Sequence, residues 1–288
     1  AIDFAGTLDN GSSIPPDTHG AVGPNHVVNM LNTGFQVFNR GGAVVMPQIS
    51  LSSFWSSLGA AASGPFDPKI LFDQYIDRWV VVSDSRSQSS QSQVLVGISH
   101  TDDPTGAWNL FAIKADPAST HWADYPGFGL DQANVYITQN MFPVSAGSVY
   151  AKFWVISKAS MIAGGPLNMR TDLPTVLPGF TYQPCHSFDP SPGGLNYLVS
   201  QGWSIGGTAR KFILVNRYVG VGAAAVLTEL GFVEVGGYTF SHLDAPQRDC
   251  STDISTNAPR LLNAVMRNGR VWTTHSVGVG ASIEPAPS

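Results

Sequence analysis

Asp17-Thr-His-Gly-Ala-Val-Gly-Pro-Asn-His-Val-Val-Asn-Met-Leu joins a short strand, a Gly-Pro-Asn turn and a strongly apolar strand. β-Branched runs closed by Gly, Pro and Asn are strand and turn signals, so the segment reads as a hairpin. The same arrangement returns four times. Asp67-Pro-Lys-Ile-Leu-Phe-Asp leads on to Trp79-Val-Val-Val-Ser, and Asp124-Tyr-Pro-Gly-Phe-Gly-Leu-Asp leads to Val135-Tyr-Ile-Thr. Pro184-Cys-His-Ser-Phe-Asp-Pro leads to Tyr197-Leu-Val-Ser, and Pro259-Arg-Leu-Leu-Asn-Ala-Val is followed by Arg270-Val-Trp-Thr-Thr-His. Anchored on Ala21, Leu71, Phe128, Phe188 and Asn263, the repeats are 50, 57, 60 and 75 residues apart.

That period is blade spacing, because one four-stranded propeller blade takes roughly 40 to 50 residues plus loops. The expectation is therefore an all-β protein, a single β-propeller domain over residues 1–288 with about five recognisable blades starting near 17, 67, 124, 184 and 259. A generic many-stranded sandwich is the competing architecture. Further strand runs agree: His26–Leu31, Arg78–Ser83, Val94–Ser99, Asn134–Thr138, Tyr150–Ser157, Asn196–Ser200, Lys211–Asn216 and Arg270–His275. Gly34 to Val45 reads as a hairpin turning at Gly41-Gly42, and Asp103 to Phe111 as a turn feeding an outer strand. Only 13 residues follow His275, so the fifth blade is expected to be incomplete, or else closed by an N-terminal strand from the Ile2-Asp-Phe-Ala-Gly-Thr-Leu stretch.

Composition agrees with this architecture and narrows the partners. The 288 residues are 43% hydrophobic, enough to fill a core, but only 12% charged, with 30 Gly and 20 Pro; an average soluble domain is roughly 25% charged. Of the 20 acidic residues 17 are Asp, the residue of turns and caps rather than of helix interiors. A formal charge of −5 with no basic cluster argues against nucleic acid. No run of 18 apolar residues is present to span a bilayer as a helix. The chain opens at Ala1 without an initiator Met, as a mature protein does after removal of a signal peptide, and a secreted or extracellular location is expected. Cys185 and Cys250 lack CxxC or CxxH companions; a disulfide between them is favoured over two buried thiols and over zinc.

The phrases Pro15-Pro-Asp-Thr-His-Gly-Ala-Val-Gly-Pro-Asn-His-Val-Val, Phe66-Asp-Pro-Lys-Ile-Leu-Phe-Asp-Gln-Tyr-Ile-Asp-Arg-Trp, Asp124-Tyr-Pro-Gly-Phe-Gly and Arg267-Asn-Gly-Arg-Val-Trp-Thr-Thr-His resemble secreted bacterial β-propeller proteins of largely unassigned function. The likeness runs from about residue 15 to 277 and implies the propeller fold without a chemistry. A looser resemblance is to five-bladed glycosidases, in which an acidic residue from each of three blades serves as base, pKa modulator and acid. It implies those roles for Asp17, Asp67 and Asp124, with the departure that such enzymes commonly use Glu as the acid.

Read from the residues, Asp17, Asp67 and Asp124 each open an innermost strand, and carboxylates converging on one cavity raise one another's pKa. The same residues are also ordinary Asx-turn formers, and their oxygen ligands suit a hard cation such as calcium better than zinc. His19, His121 and His186 form a second constellation, without HxH or HExxH spacing. Trp122 and Tyr125 flank Asp124, and Trp203 closes the fourth apolar strand, placing aromatic faces where sugar rings stack. Trp55, Trp79, Trp108, Trp154 and Trp272 are expected in the core. No GxSxG elbow or phosphate loop is present. The expected function is an extracellular carbohydrate-directed propeller, with Asp17, Asp67 and Asp124 catalytic and His19, Trp122, Tyr125, His186 and Trp203 at the substrate. The alternative is a non-catalytic lectin-like or structural module that self-associates through an open blade edge.

Overall fold

The computed structural model describes residues 3–8, 10–175, 179–202, 211–235, 244–255, 260–279 and 284–287. Strands β1 (His19–Val22), β2 (His26–Leu31), β3 (Gly34–Asn39) and β4 (Val44–Ile49) form one four-stranded sheet in chain order. A short helix α1 (Leu51–Phe54) and a 3-10 stretch (Ser56–Ala62) lead to a second such sheet, β5 (Pro65–Asp73), β6 (Arg78–Ser85), β7 (Gln93–Ser99) and β8 (Trp108–Lys114). The pattern recurs in β9 (His121–Leu130), β10 (Asn134–Pro143), β11 (Tyr150–Ser157) and, after helix α2 (Lys158–Ala163), β12 (Met169–Asp172). Next come β13 (Gln183–Pro184) and β14 (His186–Ser187), then β15 (Leu195–Gly202), β16 (Lys211–Val219) and β17 (Val226–Val235); β13, β15, β16 and β17 pair in that order.

β1–β4 and β5–β8 are four-stranded antiparallel meanders whose spatial order equals their chain order, the construction of a propeller blade, and β9–β12 repeat that order within a seven-stranded sheet that continues through β14 into the two strands of the fifth repeat. The chain is all-β and of the propeller class. The expected hairpin at Gly41-Gly42 is present, with Asn39 N–H donating to Ala43 O at 2.9 Å and Gly42 at φ 87°. The fifth repeat consists of β18 (Asn263–Arg267) and β19 (Arg270–Thr274), carried on β14, which pairs in parallel with both β18 and Leu130. A two-stranded sheet of β20 (Ser276–Val279) and β21 (Glu284–Pro287) follows. Residues 3–8 are not in a strand; Phe4 instead packs on Phe38 with ring centroids 5.4 Å apart.

The blades share a backbone device that defines their register. Asp17, Asp67, Tyr125 and Thr181 have φ of 46°, 51°, 59° and 58°, a left-handed conformation that non-glycine residues rarely adopt. Asp17 and Thr181 lie two residues before β1 and β13, and Asp67 and Tyr125 lie within β5 and β9. The equivalence therefore runs Asp17, Asp67, Tyr125, Thr181, and Asp124 stands one residue before the turn rather than on it.

The fold divides into two compact units, residues 1–128, 139–149 and 156–169 in the first and residues 129–138, 150–155 and 170–288 in the second. The first is centred on Val28, Met30, Phe35, Val37, Leu51, Trp55, Ile70, Trp79, Val81 and Leu95. Alternate strand residues face this core, and the ring of Phe35 lies 4.7 Å from that of Phe54. The second has one cluster around Tyr136, Phe153, Tyr182, Leu198, Leu214 and Tyr218 and another around Cys185, Val199, Leu261, Ala264 and Met266. Within it Asp131 accepts from the Tyr136 hydroxyl (2.7 Å) and from Ala133, Asn134 and Leu195 N–H, so a buried carboxyl is fully bonded at a hairpin turn.

Two expectations are corrected here. Cys185 and Cys250 are both free thiols, the first buried and the second exposed. Cys185 is held in the sheet, its N–H donating to Tyr197 O and to Asn196 Oδ1, while Cys250 is exposed and its Sγ accepts the Thr252 N–H at 3.4 Å. Trp272 is not a core residue: it is 58% exposed, on a hairpin with no outer strand over it among the described residues. Trp55, Trp79 and Trp154 are buried as expected, and Trp108 lies against the first core.

Candidate active site

In the first unit the left-handed turns at Asp17 and Asp67 are joined by one side chain. Asn32, at the turn after β2, donates Nδ2–H to Asp17 Oδ2 (2.5 Å) and to Pro15 O, and its Oδ1 accepts the Asp67 N–H at 2.7 Å. Tyr125 N–H donates to Asp67 Oδ2 at 3.1 Å, which ties the third turn to the second. β5 bulges between Phe66 and Lys69, which re-aims Asp67 and Pro68 away from the regular pleat. Asp17, Thr18, His19, Asp67, Pro68, Lys69, Tyr125 and Pro126 together line a pocket of about 170 Å³.

The electrostatics of this pocket are uneven. Burial, the charges of Asp17 and Asp124 and a hydrogen bond with Asp17 push the Asp67 carboxyl up to about 7. A neutral Asp67 relieves the repulsion from the carboxyls around it. Lys69 lies over the Tyr125 ring, 5.0 Å from its centroid. Burial lowers its ammonium to about 8, against the opposing pull of Asp67, Asp84 and Asp17. Burial and the Lys69 charge hold His19 down at about 4, so its ring is neutral, and its Nδ1 accepts the Ile70 N–H at 3.3 Å.

The structure thus brings together Asp17, Asp67, His19 and Tyr125, with Asp124 close enough to act electrostatically on Asp67. Trp122 packs on Phe142 at 5.4 Å and is half-buried. His121 is tied into the Asp116–Thr120 turn and to Ser148 O, a structural role. His186 belongs to the second unit, where it stacks on Phe188 at 4.5 Å. Trp203 lies outside the described residues. No group of three His, Cys, Asp or Glu side chains suited to a metal ion occurs among the described residues. Sequence reasoning missed Asn32, Lys69, Asp84 and Gln139. Only Lys69 carried a signal, standing two residues after Asp67 as His19 stands two after Asp17, on one strand face.

No protein-family model matches the sequence, and no curated protein matches it significantly. The motifs likened to secreted bacterial propellers therefore gain no sequence match. Among solved structures, the chain is similar to a GH43 endo-arabinanase from Bacillus licheniformis (13% identity over 94% of this chain and 91% of that one, TM-score 0.40). It is also similar to an α-L-arabinanase from Cellvibrio cellulosa (11% identity, 94% and 89%, TM-score 0.42) and to a xylan β-1,4-xylosidase from Bacillus halodurans C-125 (10%, 93% and 50%, TM-score 0.43). Likeness of this degree transfers no residue role and no substrate. No helix among the described residues is long and apolar enough to cross a membrane.

Proposed function

We propose that the chain is an extracellular carbohydrate-directed protein that cleaves a glycosidic bond by acid–base chemistry in the Asp67 pocket. The observation that carries this is the Asp67 carboxyl, raised to about 7 by burial and by Asp17 and Asp124 and open to a pocket edged by Tyr125. A carboxyl poised near neutrality donates a proton to a leaving oxygen most efficiently at the pH where the protein works.

Geometry separates the roles. Glycosidase carboxyls flank the bond about 5–5.5 Å apart in retaining enzymes and about 6.5–9.5 Å apart in inverting ones. Asp17 and Asp67 are hydrogen-bonded, too close to sit on either side of a sugar–sugar bond. Asp67 is then the acid, Asp17 the carboxyl that holds its proton, and Asp124 the second carboxylate, which activates water or attacks. The pocket is smaller than the roughly 300 Å³ at which drug-sized sites begin, a size for one sugar ring. Three carboxyls against one Lys favour a neutral ring over an acidic one. Turnover of at least one member of a panel of neutral oligosaccharides, lost when Asp17, Asp67 and Asp124 are all Ala, is the expected result. No turnover on any member, or turnover surviving the triple change, overturns it.

A non-catalytic reading has an observation of its own. Arg267, Asn268, Arg270 and Trp272 line a groove of about 420 Å³ on the β18–β19 hairpin. Arg267 faces Arg270 across the strands, an unfavourable like-charge pair, and the exposed Trp272 offers an aromatic face beside them. A lectin-like or self-associating role would use this open edge. On that reading Trp272→Ala weakens glycan retention in affinity electrophoresis, or dimerisation, by about tenfold, the equivalent of ~1.4 kcal/mol. Unchanged retention together with a monomer in native mass spectrometry removes the reading.

A further inference from the structure

Asp84 lies on β6 opposite Phe66, the residue before Asp67, and its side chain is fully buried. Gln139 of β10 is likewise buried and donates Nε2–H to Asp84 Oδ1 at 2.6 Å. The other oxygen of each group, Asp84 Oδ2 and Gln139 Oε1, is buried with no hydrogen-bond donor. An ionised carboxylate has no proton to offer, so an ionised Asp84 leaves both acceptors unsatisfied, which buried polar groups rarely tolerate. A single proton answers both. A carboxylic acid and a primary amide pair through two hydrogen bonds, the acid carbonyl accepting from the amide N–H while the acid O–H donates to the amide carbonyl.

We propose that Asp84 is a neutral carboxylic acid closed into a two-hydrogen-bond pair with Gln139, and that it acts as a positioning residue by leaving Lys69 to Asp67 and Asp17. The groups that act on it electrostatically are Asp67 and Lys69 from β5 and Asp124 from β9. Burial, Asp67 and Asp124 all favour its neutral form, against Gln139 and Lys69. Were Asp84 ionised, it would compete for the Lys69 ammonium and add a further negative charge behind Asp67. Neutral, it satisfies the interior without drawing on the Lys69 ammonium. Its part in catalysis rests on the active-site reading above, but its protonation does not.

The test follows side-chain carboxyl carbons by ¹³C NMR in the intact protein, with the Asp84 carboxyl assigned in the wild type by through-bond correlation to its own backbone. The expected result is an Asp84 signal that still shows its protonated shift where Asp67 titrates, near 7. Asn at this position reproduces both hydrogen bonds, so Asp84→Asn should fold, move the Asp67 midpoint by no more than about half a pH unit, and flatten the decline of stability with pH. That decline arises because the native state alone retains the Asp84 proton above the ordinary carboxylate range; over that window the wild type loses stability as pH rises by one proton's worth of slope. An Asp84 signal that titrates in the ordinary range overturns the proposal. So does a fall of a full unit or more in the Asp67 midpoint in Asp84→Asn, since removing a neutral group should not relieve Asp67. The wild-type spectrum decides even if the variant fails to fold. No readout is turnover, so an inactive protein with a protonated Asp84 would sink the active-site reading alone.

Discussion

Asp67→Asn is expected to lower turnover of a responsive oligosaccharide by about 10²- to 10⁴-fold, the range that a positioned general acid supplies. Asn keeps the shape and still accepts the Tyr125 N–H, but it has no proton to give. The pH profile carries the more specific signature. As an acid, Asp67 must be protonated, so the wild-type rate falls as pH rises through about 7, and the variant loses that limb. A second arm needs no substrate. The native state holds the Asp67 proton from 3.8 up to about 7, whereas the unfolded chain has released it, so this proton adds a decline in wild-type stability across that window, and its contribution ends above it. The Asn variant should show a smaller decline and equal or higher stability at pH 8. A rate within about threefold of wild type with the alkaline limb intact would remove Asp67 from the acid role, whatever the fold.

Lys158→Met should cost about 3–5 kcal/mol, the largest single-site loss expected in the first unit. Lys158, at the start of α2, forms an ion pair with Asp73, and both side chains are almost wholly buried. Asp73 closes the β5–β6 turn by accepting the Tyr75 N–H at 3.0 Å, and the Lys158 ammonium lies 5.3 Å from the Tyr75 ring centroid. Removing the cation leaves a carboxylate in the interior that must either stay charged without its partner or take up a proton. For a chain of this size the loss corresponds to a fall in Tm on the order of 10 °C. The double variant Asp73→Asn/Lys158→Met removes both charges together and should recover most of it. Thermal melts of the three proteins decide; a Lys158→Met variant within about 1 kcal/mol of wild type would show that the pair contributes little.

Most of the architecture was legible because its signals are local. The strand runs at His26–Leu31 and Tyr150–Ser157 coincide with β2 and β11, and the Gly41-Gly42 turn joins β3 to β4. Strand, turn and blade period are each encoded within a few residues, by β-branched alternation and by Gly, Pro and Asn at turns. In the third blade the left-handed turn falls on Tyr125, one residue after the repeated Asp, because what recurs there is a backbone conformation and not a residue type. Trp272 was misplaced for a related reason: an apolar strand reads as core whether or not a neighbour covers it.

By itself the sequence determined an all-β propeller-class chain, the places of its strands and the carboxylates worth attention. Only the tertiary structure decided which of these carboxyls keeps a proton, that Asn32 couples two blade-entry turns, that Lys69 sits among the acids, that Asp84 and Gln139 are buried as a pair, and that Cys185 and Cys250 stay apart. The reason is range. Backbone preference is set by a residue and its neighbours, whereas a proton's affinity is set by burial and by charges that meet only after folding. Asp17 and Asp67, 50 positions apart in the chain, share a hydrogen bond in space.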